Sequence, residues 1–383
     1  MRILSVSCGR SDIGILTPVW NSLSKNLEHE LHVILTGAHN NNLVSNDIEL
    51  PPRSIKHLCG ASIQGQTNKD LGSSLGSITA DVVTLTSRIK PDRILIVGDR
   101  IDMMAAVLGA SCLNIPLVHL HGGEFSYGAI DERLRHAITK LSHLHCTSNQ
   151  VTASVISKMG EESWRIHVTG APGLDTLINA ELLDAKEITK SIGLKSISGL
   201  RLITVHPETN SLNPLATAQA VFSALKKSPA PNIVTAPNAD PGSKKIRDLI
   251  IKFVNENRDT VFIENLGNNL YANVMRHASV MVGNSSSGIV EAGIFGLPVI
   301  NVGGRQDGRQ YGKNVSHVSS TTEDIVKKLA SIPAKFDANF IYGDGYSGDR
   351  VAKVLTNHYD HENLLFKKFS YNIHTHTNPW ELK

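Results

Sequence analysis

Residues Ala278-Ser-Val-Met-Val-Gly283-Asn-Ser-Ser-Ser-Gly-Ile-Val-Glu291 read as a buried strand that runs into a serine-rich turn and then a helix. That order, continued by Gly303-Gly-Arg-Gln-Asp-Gly-Arg309 after the next apolar run, is the strand–turn–helix unit of a parallel α/β sheet. A Gly/Ser turn at such a junction presents backbone N–H groups and hydroxyls to an anion, and the helix dipole adds attraction. Ser285, Ser286 and Ser287 are small donors that let a diphosphate approach closely. Glu291 lies seven residues beyond Asn284, about two helical turns in, where a carboxylate can accept from ribose hydroxyls. Ser and Asn also favour helix N-caps for purely structural reasons, so the turn takes its meaning from the other strand ends.

Outward from this turn the alternation repeats. In the first half, residues 3–7, 31–36, 93–97 and 117–120 read as strands, and 78–89, 103–112 and 131–144 as helices. In the second half the strands are 201–205, 232–236, 261–264, 280–282 and 299–302. Residues 38–75, rich in Asn, Gly, Ser and Pro, predict mobile loops. The pattern predicts an α/β fold of two Rossmann-like, doubly wound domains facing across a cleft, 1–172 and 173–360. A tail, 361–383, is expected to pack back on them. In such sheets ligands sit beyond the carboxyl ends of the strands. Arg10, Asp99, His121 and Glu124 fall at such ends in the first half, and His206 and Asn238 in the second.

Length agrees with two domains: 383 residues exceed one ordinary core. Hydrophobic content of 41% and mean hydropathy of −0.09 are those of a soluble globular chain. A net charge of +3, with no basic block, argues against nucleic acid as a partner. The start, Met1-Arg-Ile-Leu-Ser-Val-Ser-Cys8, is too short and polar in its apolar part for a signal peptide and reads as a first strand. No run is long enough to span a membrane. The four cysteines are scattered without CxxC spacing, so reduced thiols in a cytoplasm are expected.

The first half carries unlike acid/base groups at strand ends: Asp99, His121, Glu124 and Asp131. Removing a weakly acidic C–H proton needs a base in reach and a second group for the leaving group or the returning proton. Grouped carboxylates and imidazole shift one another's pKa toward that task. Asp131 and Arg135 are also spaced as an ordinary helical ion pair. His119 and His121 share a strand face, but no third ligand has metal-site spacing, so no metal is expected. Arg10, in a Gly-Arg-Ser-Asp turn, suits phosphate recognition. This first turn lacks GxGxxG, and GxxxxGK[ST] occurs nowhere in the chain, which disfavours a nicotinamide dinucleotide fold and a P-loop nucleotidase.

Taken together, the chain resembles the hydrolysing UDP-N-acetylglucosamine 2-epimerase family over roughly residues 1–350. The resemblance rests on Gly9-Arg10-Ser-Asp12, Gly98-Asp99-Arg100, His121-Gly-Gly-Glu124, Ile130-Asp131 through Arg135 to His143, and Gly170-Ala-Pro-Gly-Leu-Asp175. His206-Pro207, Asn238-Ala-Asp240, Gly283-Asn-Ser-Ser-Ser-Gly288 and Arg305-Gln306 with Gly308-Arg309 complete it. It implies a glycosyltransferase-B-like fold and a UDP-linked sugar as substrate, with neither metal nor redox cofactor. By the same resemblance Ser285 and Ser286 hold the diphosphate, Glu291 the ribose, and Arg10 and Arg305 add positive charge. Arg135, Asn238 and Ser287 belong to the substrate-binding set. His206 lies near the sugar–phosphate linkage, while Asp99, His121, Glu124 and Asp131 surround C1 and C2. The reaction implied is elimination of UDP and hydration of a 2-acetamidoglucal, releasing N-acetylmannosamine for sialic-type acid synthesis. A homodimer or homotetramer is expected, with apolar helix faces near 103–112 available for it.

Two departures bear on the sugar. Ile13, Gly14 and Ile15 stand where many relatives carry Lys and Tyr or Phe, and His121 stands where relatives often have Glu. A 2,4-diacetamido-2,4,6-trideoxy hexose on UDP or GDP is therefore the alternative substrate. A B-type glycosyltransferase, a non-hydrolysing epimerase and a silent nucleotide-sugar sensor are competing readings. The crowded acid/base set at 99–131 argues against the first, and the joint presence of Arg10, Asp99, Asp131 and His206 against the last.

Overall fold

The central strands are Ile/Val/Leu runs with both faces covered, the pattern parallel strands require. The computed structural model describes residues 1–40, 48–60, 68–127, 130–208, 213–237 and 242–370. The first half contains β1 (Arg2–Ser7), α1 (Arg10–Ser24), β2 (Glu30–Leu35), β3 (Ile55–Leu58), α2 (Asn68–Ile89) and β4 (Arg93–Val97). It continues with α3 (Ile101–Ser111), β5 (Leu117–Leu120), α4 (Ile130–Leu141), β6 (Leu144–Thr147), α5 (Gln150–Lys158) and β7 (Ile166–Val168). Two helices, α6 (Gly173–Ile178) and α7 (Ala185–Ile192), lead to β8 (Arg201–Thr204), α8 (Ala216–Lys227), β9 (Asn232–Thr235), α9 (Ser243–Glu256) and β10 (Thr260–Ile263). Then follow α10 (Gly267–His277), β11 (Val280–Gly283), α11 (Ser286–Val290), β12 (Val299–Val302) and β13 (Val315–Val318). The chain closes with α12 (Thr322–Leu329), α13 (Ser347–Thr356) and α14 (His361–Leu365).

Among the described residues all strand pairs are parallel, in two sheets of order β3-β2-β1-β4-β5-β6-β7 and β10-β9-β8-β11-β12-β13. Each order reverses direction once, between β1 and β4 in the first sheet and between β8 and β11 in the second. At such a point neighbouring connections leave to opposite sides and open a crevice beyond the strand ends. The segments there are Cys8–Asp12 and Gly98–Arg100 in one sheet, Val205–Glu208 and Asn284–Ser287 in the other. Register brings the second pair together, with Thr204 opposite Gly283. Gly283 is required: its φ is +146°, and a Cβ would collide with the Thr204 carbonyl.

The first core groups Ile3, Leu4, Val6, Trp20, Ile94 and Leu95 with Val351, Leu355 and Leu364 from α13 and α14. The segment 347–366 thus returns to the first sheet, and buried arginines cap its carbonyls; residues 371–383 of the expected tail lie outside the described residues. Arg93 donates to Val354 O at 3.2 Å, Asn357 O at 2.6 Å and Leu355 O. Arg165 reaches Leu364 O, Asn363 O and Phe366 O at 2.8–3.1 Å. The second sheet has a core on each face, with Leu202 in one and Ile203 in the other, as strand alternation dictates.

Three expectations are corrected. Residues 38–75 are not all loop: β3 lies there and α2 begins at Asn68. The hydroxyls of Ser74, Ser77 and Thr79 bond the carbonyl four residues earlier, at 2.9–3.1 Å, so this Ser-rich segment extends a helix instead of breaking it. The helix expected over 131–144 stops at Leu141, and Leu144–Thr147 is a strand. The apolar side chains of α3 are mostly core: Met103, Ala105, Ala106, Val107 and Ala110 are buried, leaving Leu108 and the Cys112 that follows as the exposed apolar positions. Among the described residues no helix is long and apolar enough to cross a membrane.

Candidate active site

The turn after β11 is organised by Asn284, which is fully buried. Its side chain accepts from His206 N at 2.7 Å and donates to His206 O at 3.0 Å, clamping the two switch-point segments of the second sheet together. Its own carbonyl accepts from Arg305 at 3.3 Å and Gln306 at 2.9 Å. Ser285 caps α11 by accepting from Ser287 N. A cavity of about 360 Å³ opens here. His206, Thr204, Tyr271, Ser285 and Glu291 line it from the second half, and Ser11, Gly14 and Ile15 from the first.

One wall of the cavity is a chain of hydroxyls ending in a carboxylate. Ser287 Oγ donates to Glu291 Oε2 at 2.6 Å, and Tyr271 OH lies 2.5 Å from Ser287 Oγ. Burial pushes the Glu291 carboxyl up, against the opposing effect of the Ser287 hydrogen bond. Burial likewise raises the Tyr271 phenol, and the nearby Glu291 charge adds to it. Ser287 is therefore engaged with Glu291 and Tyr271.

The loop after β5 carries the candidate acid/base groups His121 and Glu124. His121 has φ +63°, a left-handed conformation uncommon for a residue with a Cβ and held only where its surroundings enforce it. Its Nδ1 lies 2.8 Å from Glu124 Oε1. A carboxylate only accepts, so Nδ1 donates a proton to Glu124 and Nε2 is the nitrogen left for other chemistry. That Nε2 is buried and without a hydrogen-bond partner among the described residues. Burial pushes Glu124 up, but the His121 charge, the His121 hydrogen bond and Arg309 outweigh it and bring its pKa to about 2. His119 is different: it is buried, bonds Gly98 O at 2.8 Å and Thr139 Oγ1 at 3.3 Å, and burial lowers its pKa to about 3. It is a neutral structural histidine.

Arg135, only 2% exposed, is no surface partner of its helix. It pairs with Asp99 and donates to Ser126 Oγ at 2.7 Å, Glu124 O at 2.7 Å and Glu132 Oε2 at 3.1 Å. It thereby holds Asp99 and the His121–Ser126 loop in one frame. Burial and the like charge of Arg309 lower its pKa. Beneath the first turn, Asp12 accepts from Cys8 N and Gly9 N at 2.7 and 3.1 Å. Arg100 forks onto the buried Asp102 at 3.0 and 2.8 Å. These contacts tie down the start of α1, which carries Arg10 and Ser11.

The structure thus brings Ser285, Glu291 and His206 to one cavity, with Ser287 behind Glu291 and Arg305, from the turn after β12, bonded to the Asn284 carbonyl. Ser286 opens α11 without lining that cavity. It groups Asp99, His121, Glu124 and Arg135 separately, with Asp131 in the first turn of α4. Arg10 opens α1, and Asn238 lies outside the described residues. Residues the sequence did not single out are Asn284, Tyr271 and Arg309. Arg309 crosses between the halves: Nε donates to Phe125 O at 3.2 Å and Nη1 lies 3.9 Å from Glu124 Oε2. Asn284 and Arg309 stood inside quoted motifs, where their contacts could not be read, and Tyr271 carried no local signal.

The family profile "UDP-N-acetylglucosamine 2-epimerase" matches residues 21–356. The chain is 32% identical over 376 residues to the UDP-N,N'-diacetylbacillosamine 2-epimerase (hydrolyzing) of Legionella pneumophila, covering 97% of this chain and 99% of that protein. It is 31% identical over 367 residues to the UDP-N-acetylglucosamine 2-epimerase of Neisseria meningitidis serogroup B, covering 93% and 95%. The crystal structure of the Neisseria meningitidis UDP-GlcNAc 2-epimerase bound to UDP-GlcNAc has the same fold. It superposes with a TM-score of 0.77 over 93% of this chain and 99% of that one, at 19% identity.

Proposed function

The chain belongs to the UDP-N-acetylglucosamine 2-epimerase family, and from that premise we propose that it is a hydrolysing 2-epimerase of a UDP-linked 2-acetamido hexose. The observation that carries the reading is the His121–Glu124 pair, with a buried, unpartnered Nε2. An imidazole whose far nitrogen is backed by a carboxylate is built to take a proton and to be stabilised once it has it. In this reading His121 Nε2 removes the C2 proton, the C1–O bond breaks, and UDP leaves with the bonding electrons. Water then adds at C1, and C2 is reprotonated from the opposite face by an acid of the same group, Asp99 or Asp131. The products are UDP and the free 2-epimeric sugar.

The cavity supports the nucleotide half of the reading. Ser285, with Arg10 and Arg305, would meet the diphosphate, and His206 the oxygen at the sugar linkage. Donors aimed where charge develops on the leaving group lower the barrier most. Glu291 would accept from the ribose hydroxyls. The first substrate to test is UDP-N-acetylglucosamine. A second substrate, a UDP-linked 2,4-diacetamido-2,4,6-trideoxy hexose, is favoured by the first turn of α1. Ile15 gives the cavity an apolar wall, and a Cβ at Gly14 would meet nothing within 4 Å, which leaves room for a further acetamido group.

Proton NMR of the protein with UDP-N-acetylglucosamine in D2O tests the reading directly. Free N-acetylmannosamine deuterated at C2, together with UDP, is the expected result. Return of an epimeric UDP-sugar without free sugar would replace it with a non-hydrolysing epimerase. Turnover of the diacetamido sugar alone would keep the chemistry and move the substrate.

A further inference from the structure

The Tyr271–Ser287–Glu291 chain has a fixed direction. Ser287 has one hydroxyl proton, and it points to Glu291 Oε2 at 2.6 Å. The proton in the 2.5 Å contact between Tyr271 OH and Ser287 Oγ must therefore come from the tyrosine. The order is Tyr271 O–H to Ser287 Oγ, then Ser287 O–H to Glu291 Oε2. This fills one carboxylate oxygen from behind, and no described residue engages the other. Tyr271 and Glu291 both line the cavity. Tyr271 sits on α10, while Ser287 and Glu291 follow β11, so the chain also joins two elements separate in sequence.

We propose that Tyr271 and Ser287 are positioning residues that hold Glu291 as an acceptor-only reader of the ribose diol, so that the site selects ribonucleotides over deoxyribonucleotides. The inference rests on the ribose role proposed above for Glu291. A carboxylate fixed in one rotamer by a hydroxyl behind it is already arranged for a donor in front. A nucleotide lacking that donor leaves a buried carboxylate oxygen unpaired. A hydrogen bond to a charged group contributes enough to make this about a tenfold or greater preference. Removing the tyrosine hydroxyl leaves Ser287 free to turn its proton elsewhere and lets the carboxylate swing. UDP then loses a prepaid orientation, whereas a deoxy analogue, which never used the carboxylate, loses little.

The test is calorimetric binding of UDP, 2′-deoxy-UDP and 3′-deoxy-UDP to the full chain and to its Tyr271→Phe and Ser287→Ala variants. The wild-type protein should prefer UDP over at least one deoxy analogue by about tenfold or more. In both variants that ratio should fall at least severalfold, mainly through weaker UDP binding. An unchanged ratio in correctly folded variants, even with all three nucleotides weakened equally, would mean a merely structural role and overturn the proposal. A wild-type protein that binds UDP without any preference would instead overturn the ribose role of Glu291, and this inference with it. If Tyr271→Phe does not fold, the ratio measured for Ser287→Ala decides alone.

Discussion

Replacing His121 by asparagine separates the proposed base from the backbone that carries it. Position 121 sits at φ +63°, a region asparagine enters more readily than most residues, so the loop should keep its course. The amide cannot accept a proton at neutral pH. Loss of a positioned general base costs typically about 10²–10⁴-fold in rate, and kcat for UDP and sugar release should fall within that range. UDP affinity should stay within about twofold, because no residue lining the cavity bonds to His121. Glu124→Gln is the graded companion. It keeps an acceptor 2.8 Å from Nδ1 but removes the charge. The difference between a charged and a neutral hydrogen bond is about 1–2 kcal/mol, or about 5–30-fold in kcat. The assay is UDP release under steady state, with UDP binding by calorimetry and fold by circular dichroism. A His121→Asn protein with kcat within tenfold of wild type, or one whose UDP affinity falls as steeply as its kcat, would refute the assignment.

Of Asp99→Asn and Asp131→Asn, the variant that removes the acid returning the proton to C2 should lower turnover by about 10²-fold or more; full activity in both folded variants would remove them from the chemistry. Glu161 is a stability test with a defined sign. Burial raises its carboxyl, but His145, Lys140 and Lys367 outweigh that and bring its pKa to about 2. A pKa depressed from the usual value near 4.3 contributes stability that is present above about pH 4.3 and lost as pH falls through about 2, worth about 3 kcal/mol. Glu161→Gln should therefore be destabilised by about 3 kcal/mol at neutral pH, with a flatter loss of stability below pH 4.3, by urea unfolding at several pH values; an unchanged acid limb would contradict this. Leu364→Ala should cost about 2–4 kcal/mol, since that side chain lies in the first core and its carbonyl caps onto Arg165. No shift in the unfolding midpoint would mean that the returning segment is dispensable.

What the sequence disclosed followed from physical regularity. Buried parallel strands need unbroken apolar runs, so the strands of both sheets stood out, and ligands gather beyond strand ends, which drew attention to Ser285, His206 and Asp99. Two kinds of feature stayed hidden. Segments whose local preference is overridden by contacts were misread: α2 starts within a Ser/Gly-rich stretch because its hydroxyls bond back to helix carbonyls. Edge strand β3 has exposed residues at three of its four positions, so no buried run marks it. Partnerships across sequence were invisible as well. Arg135 looked like the i+4 partner of Asp131 but is engaged with Asp99, 36 residues away in the chain. Tyr271 carries no motif, and only the fold sets its hydroxyl on Ser287.

The segment 303–309 explains how two half-sites on different sheets can serve one bond rearrangement. Elimination acts on adjacent atoms: the base must reach C2 while the leaving group departs from C1. On the proposed reading the base belongs to the β5 loop and the leaving-group donors to the β8 and β11 ends. Their separation must therefore be fixed far more tightly than two sheets alone would fix it, since misplacement of about 1 Å can cost about 10²-fold. Segment 303–309 touches both. Arg305 and Gln306 bond the Asn284 carbonyl at the serine turn. Three residues after Gln306, Arg309 donates to Phe125 O, and its second nitrogen lies 3.9 Å from Glu124. The ring of Tyr127 lies against Gly308, so close that a Cβ at that glycine would overlap it. The same arginine that measures the distance helps hold Glu124 ionised, and an ionised Glu124 keeps the His121 proton on Nδ1. One residue of the opposite half thus both spans the two half-sites and contributes to keeping Glu124 ionised.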